Sequence, residues 1–180
     1  MATVQLSRQI LLTVGFEIIR LVNEQISKGV DEDGKKYAYS TKPFARPVGG
    51  SKLKRVASLE KEGKLQRFRT KEGKLWMVVT GGYRSLREMQ GLNPDGDFLQ
   101  VTGQMLRSMV PKVAGGEVVI SFSDARSARL AFYFTVSGVG KSRRLWKFLG
   151  LNEASKQDLT ETVGALITQD ALKSLNINNA

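Results

Sequence analysis

The chain has 180 residues, of which 41% are hydrophobic, and 28 Lys and Arg against 17 Asp and Glu give a formal net charge of +11. This length suits one ordinary hydrophobic core. The sequence contains no run of about 18 apolar residues, so we predict no membrane span. Charged residues interrupt the apolar first twenty positions, which argues against a signal peptide. Cys and His are both absent, so the commonest metal ligands and general bases are missing. We therefore expect no enzyme, no cofactor and no bound metal.

The positive charge is concentrated in one part of the chain. Residues 35–87 contain 15 basic and 3 acidic residues, a net of +12, whereas the remainder contains 13 basic and 14 acidic residues. A basic segment on a nearly neutral body predicts a face or arm that meets something anionic.

The N-terminal region, from about Val4 to Ser27, has the strongest helical pattern, and Gly29 is a typical residue to end it. Ile10, Phe16 and Ile19 widen the apolar surface of this helix, as expected if it is buried on two sides in an oligomer. The predicted buried stripe consists of Leu11, Val14, Ile18, Leu21, Val22 and Ile26.

The basic segment from Lys35 to Lys74 is poor in aliphatic residues, and its Pro and Gly content argues against a compact helix over most of it. Leu65–Thr70 and Leu75–Thr80 flank a short polar stretch, which suits a β-hairpin. Aromatic residues lie among the positive charges and could grip nucleic acid by stacking and phosphate contacts. They also suit an extended arm that is anchored on a neighbouring subunit, which is the interpretation we favour. They are Tyr37, Tyr39, Phe44, Phe68 and Trp76.

The middle of the chain predicts a short helix over Ser85–Gln90 and then an extended segment, Phe98–Val101. Thr102 is a natural N-cap for a second helix, because its hydroxyl can accept a hydrogen bond from an unpaired N–H of the first turn. We expect Met105, Leu106 and Met109 on the apolar face of this helix, and Pro111 to end it.

Two strands are predicted next, Glu117–Ser123 and Leu130–Val136, as antiparallel neighbours joined by a polar loop over Asp124–Arg129. A final helix follows, capped by Asn152 or by Ser155, which forms a capping box with Asp158. Its predicted buried stripe is Leu159, Val163, Leu166, Ile167, Ala171 and Leu172.

Two short motifs resemble ligand sites and fail on spacing. Asp31–Gly34 is acidic, but it lacks the Asp-x-Asp-x-Asp-Gly spacing of a calcium loop and the closing Glu, so we read it as a solvated turn. Gly138–Ser142 ends in Gly-Lys-Ser, but a phosphate loop needs glycine where Thr135 stands. We read it as a glycine turn.

Together these elements predict an α+β fold in one domain, residues 1–180. A long N-terminal helix and a C-terminal helix pack on a small antiparallel sheet. Residues 35–80 form a basic arm or insertion, as an extended loop or hairpin.

The order of several short motifs resembles the tail-completion proteins of tailed bacteriophages, the virion-morphogenesis or neck family. The first group is Gly81-Gly82-Tyr83, Arg87–Gly91, Phe98-Leu99 and Thr102–Ser108. The second is Arg144 with Phe148–Leu151 and Asp158, and the third is Asp33-Gly34 followed by Tyr37 and Tyr39. The chain departs from the family after the second predicted strand, where members often carry a histidine and Ala131–Phe134 has none. The 35–75 segment is also longer than the family leads us to expect.

The resemblance implies a structural virion protein that forms a ring in the neck, or at the head-proximal end of the tail, and helps to join head to tail around the DNA path. It implies a hexamer ahead of a dodecamer, and neighbouring neck, connector or tail-terminator proteins as further partners. Passing genomic DNA would be contacted without sequence specificity, and no membrane is involved. The protein would reside in the virion, and in the host cytoplasm during assembly. The alternative is a basic nucleic-acid-binding protein that uses the 35–75 arm.

The residues that we expect to carry these roles fall into two groups. Candidate oligomer or partner contacts are Leu11, Ile18, Tyr37, Tyr39, Phe44, Arg107 and Trp146. Candidate contacts to DNA or to an acidic partner are Lys52, Lys54, Arg55, Arg143, Arg144 and Lys147.

Overall fold

The computed structural model describes residues 6–48, 56–95, 103–138, 143 and 145–177. The chain divides into two compact units: unit 1 comprises Met1–Lys36 with Thr102–Ala180, and unit 2 comprises Tyr37–Val101. The elements are α1 (Arg8–Ser27), β1 (Phe44–Pro47), α2 (Val56–Lys61), β2 (Leu65–Arg69), β3 (Leu75–Val79), α3 (Gly82–Met89), α4 (Gln104–Arg107), β4 (Met109–Ala114), β5 (Glu117–Phe122), α5 (Ala125–Phe132), a π-helical turn (Tyr133–Ser137) and α6 (Glu153–Ile177). The predicted α+β class, with long helices near both ends of the chain, is confirmed. None of the helices described is long and apolar enough to cross a membrane.

Helix α1 begins where Ser7 caps it, since the Ser7 hydroxyl accepts a hydrogen bond from the Ile10 N–H at 3.3 Å. It ends before Gly29, whose φ of 70° lies in the left-handed region that favours glycine. The predicted stripe is fully buried at Leu21, Val22 and Ile26, and half-buried at its three earlier positions. The helix is therefore most firmly embedded in its second half.

A β-hairpin of β4 and β5 packs against α1. Gly115 and Gly116 form its two-residue turn with φ of 59° and 82°, the left-handed pair that such turns require. Our prediction that Pro111 ends a helix was wrong, because Pro111 lies within β4 opposite Ile120. Met109, expected on the helix face, is the first residue of that strand, although it is buried as predicted.

The predicted strand over Leu130–Val136 was also wrong. The Asp124 carboxylate accepts a hydrogen bond from the Ser127 N–H at 2.8 Å and so starts helix α5, where we expected a loop. The helix continues into the π-helical turn that ends at Ser137. The predicted strand over Glu117–Ser123 is confirmed, but its partner is β4.

Helix α6 packs on α1 and is capped by Asn152, whose side-chain oxygen accepts from the Ser155 N–H at 2.9 Å. Of the two caps considered, Asn152 is therefore the one observed. The predicted buried stripe was wrong, because its first four members are half-buried and its last two, Ala171 and Leu172, are exposed.

Unit 2 contains a three-stranded antiparallel sheet in the order β1-β3-β2. The predicted hairpin is confirmed as β2 and β3, and β1 pairs with the other edge of β3. The short helix α3 covers most of the helix predicted over Ser85–Gln90, because it extends to Met89. One core holds the sheet and helices together; its buried members are Leu59, Leu65, Met77, Val79, Leu86 and Met89.

Two further predictions concern the stretch before β4. The extended segment Phe98–Val101 and the Thr102 cap lie outside the described residues. The helix after them is present as α4, which is only four residues long and begins after Gly103, with φ of 67°. Met105 and Leu106 of this helix are buried, as the pattern predicted.

Candidate oligomer interface

Large hydrophobic side chains are exposed at many places in unit 1. Such side chains occur singly on most proteins, but several on one element indicate a surface that another molecule covers. The exposed large hydrophobic residues in the described part of unit 1 are Phe16, Val119, Leu130, Phe132, Tyr133, Val136, Leu145, Leu149 and Leu172. Four of them lie close together in sequence on α5 and the π-helical turn, and we call this group, Leu130, Phe132, Tyr133 and Val136, the α5 surface.

Helix α5 presents its small residues to the protein and its large apolar residues to solvent. Ser127 and Ala131 lie four residues apart, on one face of the helix, and each is 2% exposed. Phe132 and Val136 point away from the protein, since they are 52% and 61% exposed. An ordinary surface helix has the reverse arrangement. The side chains of the α5 surface therefore contribute little to the core of this protomer.

The π-helical turn is held in place by hydrogen bonds and by one close backbone approach. The Thr135 hydroxyl donates to the Ala131 carbonyl at 2.8 Å, and the Trp146 N–H donates to the Phe134 carbonyl at 2.8 Å. Gly138 follows with φ of 75°, and a Cβ at this position would lie 2.2 Å from the Arg143 carbonyl oxygen. These contacts fix the backbone that carries Tyr133 and Val136.

The charges on α5 are basic apart from the cap. Arg126 and Arg129 are exposed on the same helix as the α5 surface. Hydrogen bonding from the Ser127 backbone N–H holds the pKa of Asp124 below its ordinary value, so the cap is ionised at neutral pH. Exposed arginines therefore accompany the α5 surface, and Arg is enriched at protein interfaces.

Helix α1 also carries an exposed apolar side chain, Phe16, which is 62% exposed. The neighbouring Gly15 is buried. It lies so close to β4 that a Cβ at this position would be 2.4 Å from the Pro111 Cβ. Helix α1 thus approaches the hairpin through Gly15 and leaves Phe16 in solvent. Leu11 and Ile18, both predicted as interface residues, are half-buried and keep part of their surface for a partner.

The segment after the π-helical turn is clamped by Gln25 of α1, which is 2% exposed. Its amide nitrogen donates to the Gly150 carbonyl at 3.0 Å, and its amide oxygen accepts from the Asn152 N–H at 2.7 Å. Phe148 in this segment is fully buried. The Phe148–Leu151 motif therefore has a structural role within the protomer.

Two aromatic residues that we expected at an interface are buried within the protomer. Tyr37 and Trp146 are each 6% exposed, so neither ring has much surface left for a partner. Phe44 is half-buried against the core of unit 2. Tyr39 is also half-buried, with its ring centroid 5.3 Å from that of Tyr83 and 5.2 Å from the Arg87 guanidinium. Arg107 is exposed on α4.

The predicted contacts to DNA or to an acidic partner are only partly described. Lys52, Lys54, Arg55 and Arg144 lie outside the described residues. Arg143 is exposed. Lys147 forms ion pairs with Asp33 at 3.2 Å and Glu32 at 3.6 Å, and the hydrogen bond to Asp33 raises its pKa. The charge of Lys147 is therefore balanced within unit 1.

The sequence interpretation missed the α5 surface, because the apolar run over Leu130–Val136 suggested a strand buried on both faces. The signal that could have revealed it is the Asp124 cap, with Ser127 and Ala131 at helical spacing after it. Within the part of the chain that the structure describes, no group of three or more His, Cys, Asp or Glu residues could hold a metal ion.

Comparison with known proteins identifies no relative. No protein-family model matches the chain, and neither a curated protein nor a solved structure resembles it significantly.

Proposed function

We propose that the protein is a structural virion protein of a tailed phage that forms a ring in the neck or at the head-proximal end of the tail. In this role it helps to join head to tail around the path of the DNA. The hexamer is the preferred stoichiometry, and neighbouring neck, connector or tail-terminator proteins dock on the ring. The proposal combines the motif order noted in the sequence with the surface of unit 1.

The observation that carries the proposal is the α5 surface. An assembly protein needs apolar side chains that a monomer leaves uncovered, and Phe132 and Val136 are more than half exposed. The backbone beneath them is fixed by the Asp124 cap and by the Trp146–Phe134 hydrogen bond. A preformed apolar surface docks at a lower entropic cost than one that must first become ordered.

A closed ring needs a heterologous contact, in which one surface of a protomer meets a different surface of the next. Unit 1 offers exposed apolar side chains on elements other than α5, with Phe16 on α1 and Leu172 on α6 as the most exposed. We propose that the α5 surface of one protomer meets the exposed side of α1 or α6 on its neighbour.

Electron microscopy of purified phage particles that carry a labelled copy of this protein tests the proposal. The expected result is label at the junction between head and tail. Label elsewhere on the particle, or absence of the protein from purified particles, would contradict it.

A further inference from the structure

The sheet of unit 2 has one face turned towards its core and another turned towards solvent. On β3, Met77 and Val79 are buried in the core, whereas Trp76 and Val78 alternate with them and point the other way. The strand register places Phe68 and Pro47 on either side of Trp76, and Gln66 and Ala45 on either side of Val78. We call these six residues the outer sheet face.

The outer sheet face is accessible and carries two aromatic rings on paired positions. Phe68 is 42% exposed, Trp76 is half-buried, and Ala45, Pro47 and Gln66 are exposed. Residues directly opposite in an antiparallel pair have Cβ atoms about 5 Å apart, so Phe68 and Trp76 lie side by side on this face. Aromatic rings on an accessible sheet can each stack on a base.

The charge of unit 2 determines what kind of partner this face suits. Residues 37–101 contain 13 basic and 6 acidic residues, a net of +7. A second copy docking here would bring two such charges together, which disfavours self-association through this face. An anionic partner is attracted instead.

Two lysines extend the outer sheet face at its ends. By strand alternation, Lys64 and Lys74, which directly precede β2 and β3, lie on the same side as Phe68 and Trp76. They pair with Glu62 and Glu72 at 2.8 and 2.9 Å, in exposed positions. Exposed ion pairs of this kind are weak, so a phosphate group can compete for either lysine.

We propose that the outer sheet face binds single-stranded nucleic acid without sequence preference. Bases stack on Phe68 and Trp76, Lys64 and Lys74 meet the phosphates, and the net positive charge of unit 2 attracts the strand. The inference does not depend on ring formation, which rests on unit 1.

Trp76 provides a direct probe, since the chain has two tryptophans and the other, Trp146, is buried. The experiment is a titration of tryptophan fluorescence with an oligothymidylate of about 20 nucleotides, using full-length protein. We expect Trp76 to be quenched on binding, and Phe68→Leu to weaken the affinity about tenfold by removing one stacking ring. Phe68→Tyr should bind like the wild type, and Tyr83→Leu, which removes an exposed ring of unit 2 that lies outside the outer sheet face, is the matched control.

Three outcomes would overturn the proposal, provided that the thermal unfolding of each variant shows it to be folded. The first is unchanged affinity in Phe68→Leu. The second is equal affinity for the oligonucleotide and for inorganic polyphosphate of the same length, which would indicate binding by charge alone. The third is a change of oligomeric state in Phe68→Leu with no effect on nucleic acid, which would assign the face to a protein contact.

Discussion

Ala131 is 2% exposed, whereas Phe132, the next residue along helix α5, is 52% exposed. The helix therefore packs through its small side chains and offers its large ones to a partner. We predict that Phe132→Asp weakens self-association at least about thirtyfold, because a buried charge at the centre of an interface costs roughly 2 kcal/mol or more. Sedimentation velocity over a range of protein concentrations measures the effect.

The control for this variant is Phe68→Asp, which introduces the same charge at an exposed aromatic residue of unit 2. We expect it to leave self-association unchanged. Both variants should unfold within about 0.5 kcal/mol of the wild-type free energy, as is usual for substitutions at exposed sites. If the Phe132→Asp protein assembles like the wild type, the α5 surface is not part of the interface.

The two hydrogen bonds that the Gln25 side chain makes to the Gly150–Asn152 segment, here called the Gln25 clamp, predict a large loss of stability when this side chain is removed. Gln25→Ala removes both hydrogen bonds to the Gly150–Asn152 segment and leaves the half-buried Gly150 carbonyl and Asn152 N–H without this partner. We expect the free energy of unfolding to fall by about 2–3 kcal/mol in urea titrations. Gln9→Ala, at an exposed position of the same helix, should change it by less than about 0.5 kcal/mol. Similar effects of the two substitutions would contradict the structural role of the clamp.

Two helical glycines should respond to alanine with opposite signs. At Gly15 a new Cβ would lie 2.4 Å from the Pro111 Cβ, so Gly15→Ala should destabilise by about 1–3 kcal/mol through overpacking. At Gly164 in α6 the same Cβ would meet nothing within 4 Å. Gly164→Ala should therefore stabilise by about 0.5–1 kcal/mol, the helix preference for alanine. Chemical denaturation measures both, and stabilisation by Gly15→Ala would show that α1 does not pack tightly on β4.

The Asp124 cap predicts that the free energy of unfolding depends on pH in the acidic range. Its pKa is lower in the folded protein than in the unfolded chain, so its ionised form stabilises the fold above the unfolded pKa of about 4. This contribution is lost as the pH falls through the folded pKa. Asp124→Asn keeps a good cap but does not titrate.

The measurement is the free energy of unfolding of wild type and Asp124→Asn from about pH 7 to pH 2.5. We expect a constant difference above about pH 5, and a relative loss of wild-type stability below about pH 4. Parallel curves over the whole range would contradict the assignment of this carboxylate as the cap.

Sequence patterns predicted the elements whose local signals agree with their tertiary surroundings. Helix α1 has a long apolar stripe and a terminal glycine, and the β2–β3 hairpin alternates around a tight turn. Both were predicted close to their observed bounds. The Glu117–Phe122 strand was also found, because its β-branched run has no competing helix cap.

The errors arose where a short apolar run fits either a helix or a strand. Leu130–Val136 is rich in aromatic and β-branched residues, yet the Asp124 cap upstream makes it helical. Strand β4 was missed because Pro111 suggested the end of a helix, although the Gly115–Gly116 turn indicated a hairpin. Burial of Tyr37 and Trp146 depends on distant packing, which the spacing of residues along the chain does not encode.

Native mass spectrometry of the full-length protein tests the central proposal most directly. We predict a single closed oligomer, with six protomers preferred, whose population falls sharply in Phe132→Asp and persists in Phe68→Asp. A wild-type protein that remains monomeric at every concentration would contradict the proposal that it forms a ring.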